Sequence, residues 1–367
     1  FIASPVLAWL EPDEVLLVSG PLLAHWGREV LVAVGVRGEL GLARDGEFAL
    51  DGQVWHDLDD EDGWLDAVLT LVPDDDVPPV VAELVAVRDL DLVRPAAWPD
   101  VLALLAQPPY REAILTPTTL RLGDGRHVRA SSYTQWWLST HVRVDGRALG
   151  EHRAATADAV VSELWEPLRL GIDAELAGAL GVRTTLSDLL ATRRGADELL
   201  DRLADPLRDV PAAVLRPAYD ALASANPEDV APPDRVRVPR GTGSVVVAAA
   251  EAVVAGAPFW AQLPGVALLP AAPDRAEALA DVLDLALAHE RFEVSLAGEG
   301  RKTDVPELVG KVLTDVPSSY LEHDDLRVAG HSVAWWVADG TVHACTLDGL
   351  ARGLAWASGH WSQRFLL

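Results

Sequence analysis

The sequence has no methionine, only two lysines and a single cysteine, Cys345. One cysteine cannot form an internal disulfide, which agrees with a reducing compartment. No apolar run reaches the roughly 18–20 residues that a membrane-spanning helix needs; the strongest candidate, Val245 to Val254, is shorter and contains Glu251. The first residues also lack the basic and apolar regions of a signal peptide. We therefore expect a cytoplasmic protein without a membrane partner.

Positive charge is scarce as well. Lysine and arginine together number 30 against 56 aspartates and glutamates, which gives a formal net charge of -26. Nucleic acids and anionic membranes both bind to basic surfaces, so neither is expected as a partner. The abundance of Arg, Ala, Asp and Val beside very little Lys also fits a compositional bias, in which case the acidity mainly serves solubility.

Length and pattern predict the organisation of the chain. Half of its 367 residues are hydrophobic, so the chain is globular and long enough for two or three cores. The pattern favours an α+β, multi-domain fold of helices with short antiparallel hairpins or meanders, around a largely helical middle section. The expected segments are a mixed α/β part (1–117), a hairpin followed by helices (118–225), a proline-rich linker (226–234) and an α+β domain (235–367). Because the chain opens at Phe1 in the middle of a pattern, we expect a piece of a longer polypeptide.

Two stretches predict a hairpin followed by a capped helix. In the first, Thr119–Leu122 and Arg126–Ala130 flank a Gly-Asp-Gly turn, and Ser131 or Ser132 caps the helix that follows. In the second, strands 334–337 and 341–345 precede a helix capped by Thr346. The second helix has an apolar face and a stripe of small residues that permits close packing: Gly349, Gly353 and Ala357.

The strongest candidate for acid–base chemistry is the stretch "YLEHDDLRV". It holds Glu322, His323, Asp324 and Asp325, and carboxylates beside a histidine suit a general acid and base. A polar turn before a strand gives the same pattern. Phosphate-loop, nucleophile-elbow, H-E-x-x-H and C-x-x-C motifs are absent from the sequence.

The candidate metal ligands are His343, Cys345 and His360. The first two alternate along one strand and so share a face, while His360 lies one helix further on and His331 belongs to the same meander. The alternative is that Cys345 is an ordinary small apolar residue and that the histidines are solvated or hydrogen-bonded.

Several longer strings carry a family resemblance. "SSYTQWWL", "GVRTTLSDLLA", "DELLDRLADP", "PPDRVRV" and "EHDDLRVAGHSVAWWVADGTVHACTLDGLARGLAWASGHW" resemble the C-terminal half of large bacterial sacsin-like ATPases. Those proteins carry an N-terminal ATPase domain of the heat-shock-chaperone, Bergerat-type class. The strings are spread over most of the chain, and they are scaffold sequence, without active-site motifs.

The resemblance implies a non-catalytic role for this chain. The family's ATP site needs an Asn on a helix to hold magnesium and a D-x-G-x-G loop against adenine. The only asparagine here, Asn226, lies among prolines, and D-x-G-x-G does not occur. ATP and magnesium are therefore implied only for an upstream domain, and no cofactor or catalytic residue is assigned to this chain.

The resemblance further implies that the chain binds, scaffolds or regulates. Its expected partner is a protein, either a client or its own upstream ATPase domain. The alternatives are a stand-alone, hydrolase-like enzyme with an acidic site at residues 322–325 and an interaction protein of another family.

Overall fold

The structure, a computed structural model, describes residues 1–51, 56–73, 77–292 and 295–365. The chain divides into two compact units, Phe1–Thr185 and Leu186–Leu367. Both combine helices with small, mostly antiparallel sheets, so the predicted α+β, multi-domain fold class is confirmed. Within the described ranges, no helix has the length and apolar character needed to cross a bilayer.

The first unit alternates short helices and short strands. Its described helices are α1 (Gly20–Ala33), α2 (Glu61–Leu69), α3 (Trp98–Leu105), α4 (Tyr110–Leu115), α5 (Tyr133–His141), α6 (Ala159–Leu164) and α7 (Ala174–Ala179). Its described strands are β1 (Leu42–Asp45), β2 (Phe48–Ala49), β3 (Val80–Val81), β4 (Leu84–Val87), β5 (Thr118–Arg121), β6 (His127–Ala130), β7 (Arg143–Val144), β8 (Arg147–Ala148), β9 (His152–Arg153) and β10 (Glu166–Pro167).

The core of the first unit forms around an antiparallel sheet in the order β2-β3-β5-β6. The predicted hairpin is present as β5 and β6, paired from Thr118 opposite Ala130. Of the two predicted caps, Ser132 is the one used: its Oγ accepts from the amide of Gln135 at 3.1 Å and donates to the carbonyl of Ile114. This fixes the start of α5, whose Trp137 is buried in the core.

The second unit contains the remaining elements. Its described helices are α8 (Leu186–Leu190), α9 (Gly195–Ala204), α10 (Ala212–Leu222), α11 (Ala276–Leu283), α12 (Ala288–Arg291) and α13 (Leu347–Ala357). Its described strands are β11 (Arg235–Arg240), β12 (Gly243–Ala248), β13 (Ala252–Ala255), β14 (Ala267–Pro270), β15 (Leu296–Ala297), β16 (Gly300–Asp304), β17 (Ser319–His323), β18 (Arg327–Val328), β19 (His331–Ser332), β20 (Trp335–Ala338) and β21 (Thr341–Ala344).

A four-stranded sheet in the order β16-β17-β21-β20 organises the C-terminal part of the second unit. The predicted closing hairpin is present as β20 and β21, whereas β17 joins β21 in parallel. Thr346 caps α13 as expected, with its Oγ1 accepting from the amide of Gly349 at 2.9 Å. The helix packs against β20 and β21 through its small residues.

A buried arginine ties the start of the second unit together. Arg237 on β11 donates from Nε to the carbonyl of Leu203 at 2.7 Å and from Nη1 to Ser244 Oγ at 3.1 Å. It also donates to the carbonyl of Asp205. Burial lowers the pKa of the Arg237 guanidinium. Each bond satisfies a donor that would otherwise be costly to bury.

The segment limits expected at residues 117 and 225 both fall inside these units. Strand β5, which begins the second expected segment, pairs with β3 of the first. The expected linker, residues 226–234, forms a 3₁₀ turn at Pro227–Asp229 and buries Val230. The amide of Ala231 also donates to Asp197 Oδ1 at 3.2 Å. Strand pairing, hydrogen bonding and burial that cross these limits depend on tertiary structure, and proline content does not reveal them.

Replacing Gly353 with alanine tests the close packing of α13. A Cβ at this position would lie 2.6 Å from Val342 Cγ1 and 3.5 Å from a ring carbon of Trp335. Because Val342 is branched and fully buried, we expect Gly353→Ala to lower the free energy of unfolding by about 1–3 kcal/mol, measured by urea denaturation.

The matched control for this substitution is Gly178→Ala in α7. A Cβ there meets no atom within 4 Å. Helix propensity alone then predicts a gain in stability of up to about 1 kcal/mol. A similar gain for Gly353→Ala would show that α13 does not pack tightly on the hairpin.

Candidate functional site

The acidic residues of the "YLEHDDLRV" stretch are engaged in exposed ion pairs. Glu322 on β17 accepts from Arg301 Nη2 at 2.7 Å, and Asp325 accepts from Arg327 Nε at 2.7 Å. Each carboxylate also accepts a hydroxyl hydrogen bond. These contacts, the arginine hydrogen bond first, hold the pKa of both carboxyl groups below the ordinary value. A carboxylate stabilised in this way is a poor general acid.

The four predicted acid–base residues do not share a face. Successive side chains of a strand point to opposite sides, so His323 is buried under the sheet while Glu322 faces solvent. Asp324 is exposed in the bend that follows. The structure therefore separates the histidine from the carboxylates next to it in sequence.

His323 instead contacts His343, a residue from the predicted metal set. Parallel pairing of β17 with β21 places Leu321 opposite His343 and brings the two rings together. His323 Nε2 lies 3.0 Å from His343 Nδ1, and the ring planes are 28° apart with centroids at 5.2 Å. One nitrogen must donate and the other accept, so the hydrogen bond requires at least one neutral ring. Burial, and secondly the charge of His323, lowers the pKa of His343.

The histidine pair is packed closely by strand β16. A Cβ at Gly300 would lie 2.8 Å from His323 Cε1, so no larger residue fits there without a shift. The other ring nitrogen, His323 Nδ1, is buried and has no hydrogen-bond partner in the part of the chain that is described.

The remaining metal candidates lie apart from this pair. Cys345 donates from Sγ to the carbonyl of Val333 at 3.2 Å. His360 Nε2 is hydrogen-bonded to Thr314 Oγ1 at 2.7 Å, and His331 is exposed on β19. Across residues 1–51, 56–73, 77–292 and 295–365, no group of three or more His, Cys, Asp and Glu side chains is placed to hold a metal ion.

One histidine cluster was missed by the sequence analysis. In the first unit, His56 Nδ1 is 2.7 Å from Glu61 Oε1, and His56 Nε2 is 3.2 Å from Asp45 Oδ2. Among the described residues, no hydroxyl or thiol hydrogen-bonds to His56, so the cluster lacks a nucleophile. It links β1 to the first turn of α2, which sequence spacing alone does not indicate.

A second missed feature is an apolar surface on and beside α1. Only Leu31 of this helix is buried. The α1 surface consists of large side chains that are 44 to 90 % exposed: Leu16, Leu17, Leu22, Trp26, Val30, Val32 and Val34. An amphipathic pattern normally marks a face turned to the core. In this segment the large apolar residues lie in solvent instead.

The backbone of α1 is interrupted at a glycine. Gly27 has φ of +75° and ψ of 160°, a conformation that interrupts α1 between Trp26 and Arg28. The helix ends at a glycine, with Gly35 at φ +95° and the amide of Val36 donating to the carbonyl of Leu31 at 2.9 Å.

The chain matches no protein-family model, no curated protein and no solved structure. The resemblance to sacsin-like ATPases therefore stays a prediction. The geometry of the histidine pair and of the α1 surface is what bears on function in the described residues.

The lowered pKa of His343 predicts a pH-dependent loss of stability. The folded protein holds this proton less tightly than the unfolded chain, whose histidine titrates near 6.5. The neutral His343 ring therefore makes its full contribution to stability above pH 6.5. This contribution is lost as the pH falls from 6.5 towards the lower pKa of the folded state. We expect the urea midpoint of the wild type to fall between about pH 7.5 and about pH 5.

The variant His343→Asn removes the titrating ring and keeps a polar atom near Nδ1. It should show a smaller fall in midpoint over the same pH range. The exposed His127 on β6 provides the control, His127→Asn, which should keep the wild-type fall. An equal fall in the urea midpoint for His343→Asn and the wild type would show that the lowered pKa of His343 is not its cause.

Proposed function

We propose that this chain is a non-catalytic binding region: the part of a sacsin-like, chaperone-type ATPase that binds, scaffolds or regulates, with the ATPase domain encoded upstream. The observation that carries the proposal is the α1 surface. Seven large apolar side chains are exposed within residues 16–34, and exposed apolar surface of this kind on a soluble protein is a candidate site of protein interaction. Burying such area against a partner is favourable by roughly 25 cal/mol per Å².

The α1 surface is presented by an anchored helix. Leu31 inserts into the unit, and the amide of Ile2 donates to the carbonyl of Arg37 at 2.7 Å just after the helix. Before the helix, the amide of Val18 donates to the carbonyl of Phe1 at 3.0 Å. Both ends of the segment that carries the exposed side chains are therefore hydrogen-bonded to the first two residues, Phe1 and Ile2. This anchoring supports a binding role.

The chemistry of the surface favours a client protein as the partner. The seven side chains are aliphatic except for one indole, so they offer contact area and almost no directional hydrogen bonding. Such a surface suits apolar segments of varied sequence, as a partly unfolded protein exposes them. The net charge of -26 would keep a complex of this kind soluble.

The surroundings of Asn226 differ from those of the helical Asn that the family's ATP site needs. Its Nδ2 donates to Asp229 Oδ2 at 2.9 Å, and it precedes a 3₁₀ turn instead of lying within a helix. We expect isothermal titration of this chain with Mg-ATP to give no binding heat. A dissociation constant in the micromolar range would contradict this part of the proposal.

The enzyme alternative receives no support from the geometry. Glu322 and Asp325 are paired with arginines, and His323 is buried on the side of β17 opposite to Glu322. The alternative therefore stays a prediction from sequence.

The experiment compares suppression of aggregation by surface variants. A heat-denatured model protein is followed by light scattering with and without this chain. We expect the wild type to suppress scattering and the double variant Leu22→Ser with Trp26→Ser to lose most of that effect. Because both side chains are exposed, their replacement should leave the melting curve of the chain nearly unchanged.

The control replaces two leucines of the other unit that are even more exposed, Leu207→Ser with Leu308→Ser. This variant should suppress aggregation as well as the wild type does. The client proposal fails if the wild type has no effect, or if the two double variants behave alike.

A further inference from the structure

A groove in the second unit combines aromatic walls with one cationic side chain. Its cavity has a volume of about 250 Å³. The groove is lined mainly by apolar side chains and is represented here by Ala255, Leu268, Pro270, Trp356, Trp361 and Arg216. A neighbouring hollow of about 540 Å³ shares Arg216 and both tryptophans, so the groove continues past them.

The floor of the groove follows from strand pairing. Strands β13 and β14 are parallel, with Ala255 opposite Pro270 and Val253 opposite Leu268. Alternation along β14 turns Leu268 and Pro270 to the groove, whereas Leu269 between them is fully buried on the other side. The floor is consequently smooth and apolar.

The tryptophans form one wall. Trp356 lies near the end of α13, and Trp361 begins the 3₁₀ turn Trp361–Gln363 that follows. Their rings meet edge to face, with centroids 6.0 Å apart. Arg364 lies over the Trp361 ring, with Cζ 4.6 Å from the ring centroid, so one face of this indole is occupied. Neither indole N–H has a hydrogen-bond acceptor within the described ranges, so a donor edge is available to a ligand beside the indole surface that lines the groove.

Among the described residues that line this cavity, Arg216 on α10 is the only charged one. Its Nε lies 3.5 Å from Asp220 Oδ2, and the other oxygen of Asp220 accepts from the amide of Ala272 at 2.6 Å. The carboxylate is thus held at the Nε side. The terminal nitrogens Nη1 and Nη2 have no hydrogen-bond partner among the described residues, and such a pair can bind a carboxylate in bidentate fashion.

We propose that this groove binds a small carboxylic acid with an aromatic or other apolar body. The body packs on Leu268 beside Trp356 and Trp361, and the carboxylate accepts from Arg216. The apolar lining offers nothing to a second charge, and the guanidinium selects an anion in a chain whose net charge is -26. The cavity lies just below the roughly 300–1,000 Å³ of common ligand pockets, and the hollow beside it extends the space, so a body of one or two rings is a suitable size for a first probe.

The test uses naphthalene-1-carboxylate and its neutral isostere, naphthalene-1-carboxamide, as probes in isothermal titration. We expect the wild-type chain to bind the acid at least about tenfold more tightly than the amide, since a charged hydrogen bond is being compared with a neutral one. Arg216→Gln should weaken binding of the acid and abolish the preference over the amide. Thermal unfolding of each variant verifies that it is folded.

The chain offers a closely matched control in Arg352→Gln. Arg352 on α13 is 45 % exposed and forms an i,i+4 pair with Asp348, as Arg216, 51 % exposed, does with Asp220. Because Arg352 does not line the cavity, its variant should keep the wild-type affinity and preference. The proposal is overturned if the wild type does not bind the acid, if acid and amide bind equally, if Arg216→Gln keeps the preference, or if Arg352→Gln also loses it.

Discussion

The close approach of α13 to the β20–β21 hairpin is the contact on which the C-terminal part of the second unit depends. A Cβ at Gly349 would lie 2.2 Å from the carbonyl oxygen of Ala334, and one at Gly353 would meet Val342. Only glycine permits this distance. The helix covers Val342 of β21, which is fully buried. The end of the same helix places Trp356 in the wall of the groove.

The same hairpin determines what can lie on the opposite face of the sheet. Because side chains alternate along β21, His343 points away from α13 and meets His323. A buried polar group without a partner is costly, and the hydrogen bond between the two rings satisfies one nitrogen of each, whereas His323 Nδ1 has no partner among the described residues. The charged neighbours Glu322 and Arg301 pair with each other outside. Burial thus places His323 inside, against His343, and leaves Glu322 outside in an ion pair with Arg301.

The first unit shows the reverse situation, with apolar residues left outside. The core there includes large side chains such as Trp64 and Tyr133, yet among the described residues of α1 only Leu31 is buried. A break at Gly27 interrupts the helix, and the α1 surface remains uncovered by the described residues of its own unit. A strongly acidic composition is compatible with such a surface because mutual repulsion limits self-association.

Local chemistry was enough to predict the hairpins, the caps at Ser132 and Thr346 and the α+β class, because turn residues, capping hydroxyls and periodicity act over a few positions. Local chemistry could not predict contacts between residues that are distant in the sequence. The meeting of His323 with His343 depends on the register of a parallel strand pair, and the groove joins Arg216 to Trp361 across most of a unit. Whether an apolar helical face is covered depends on what folds against it. The spacing of apolar residues does not show which part of the chain packs against a helix. Only the tertiary structure therefore decided that α1 keeps its apolar residues in solvent.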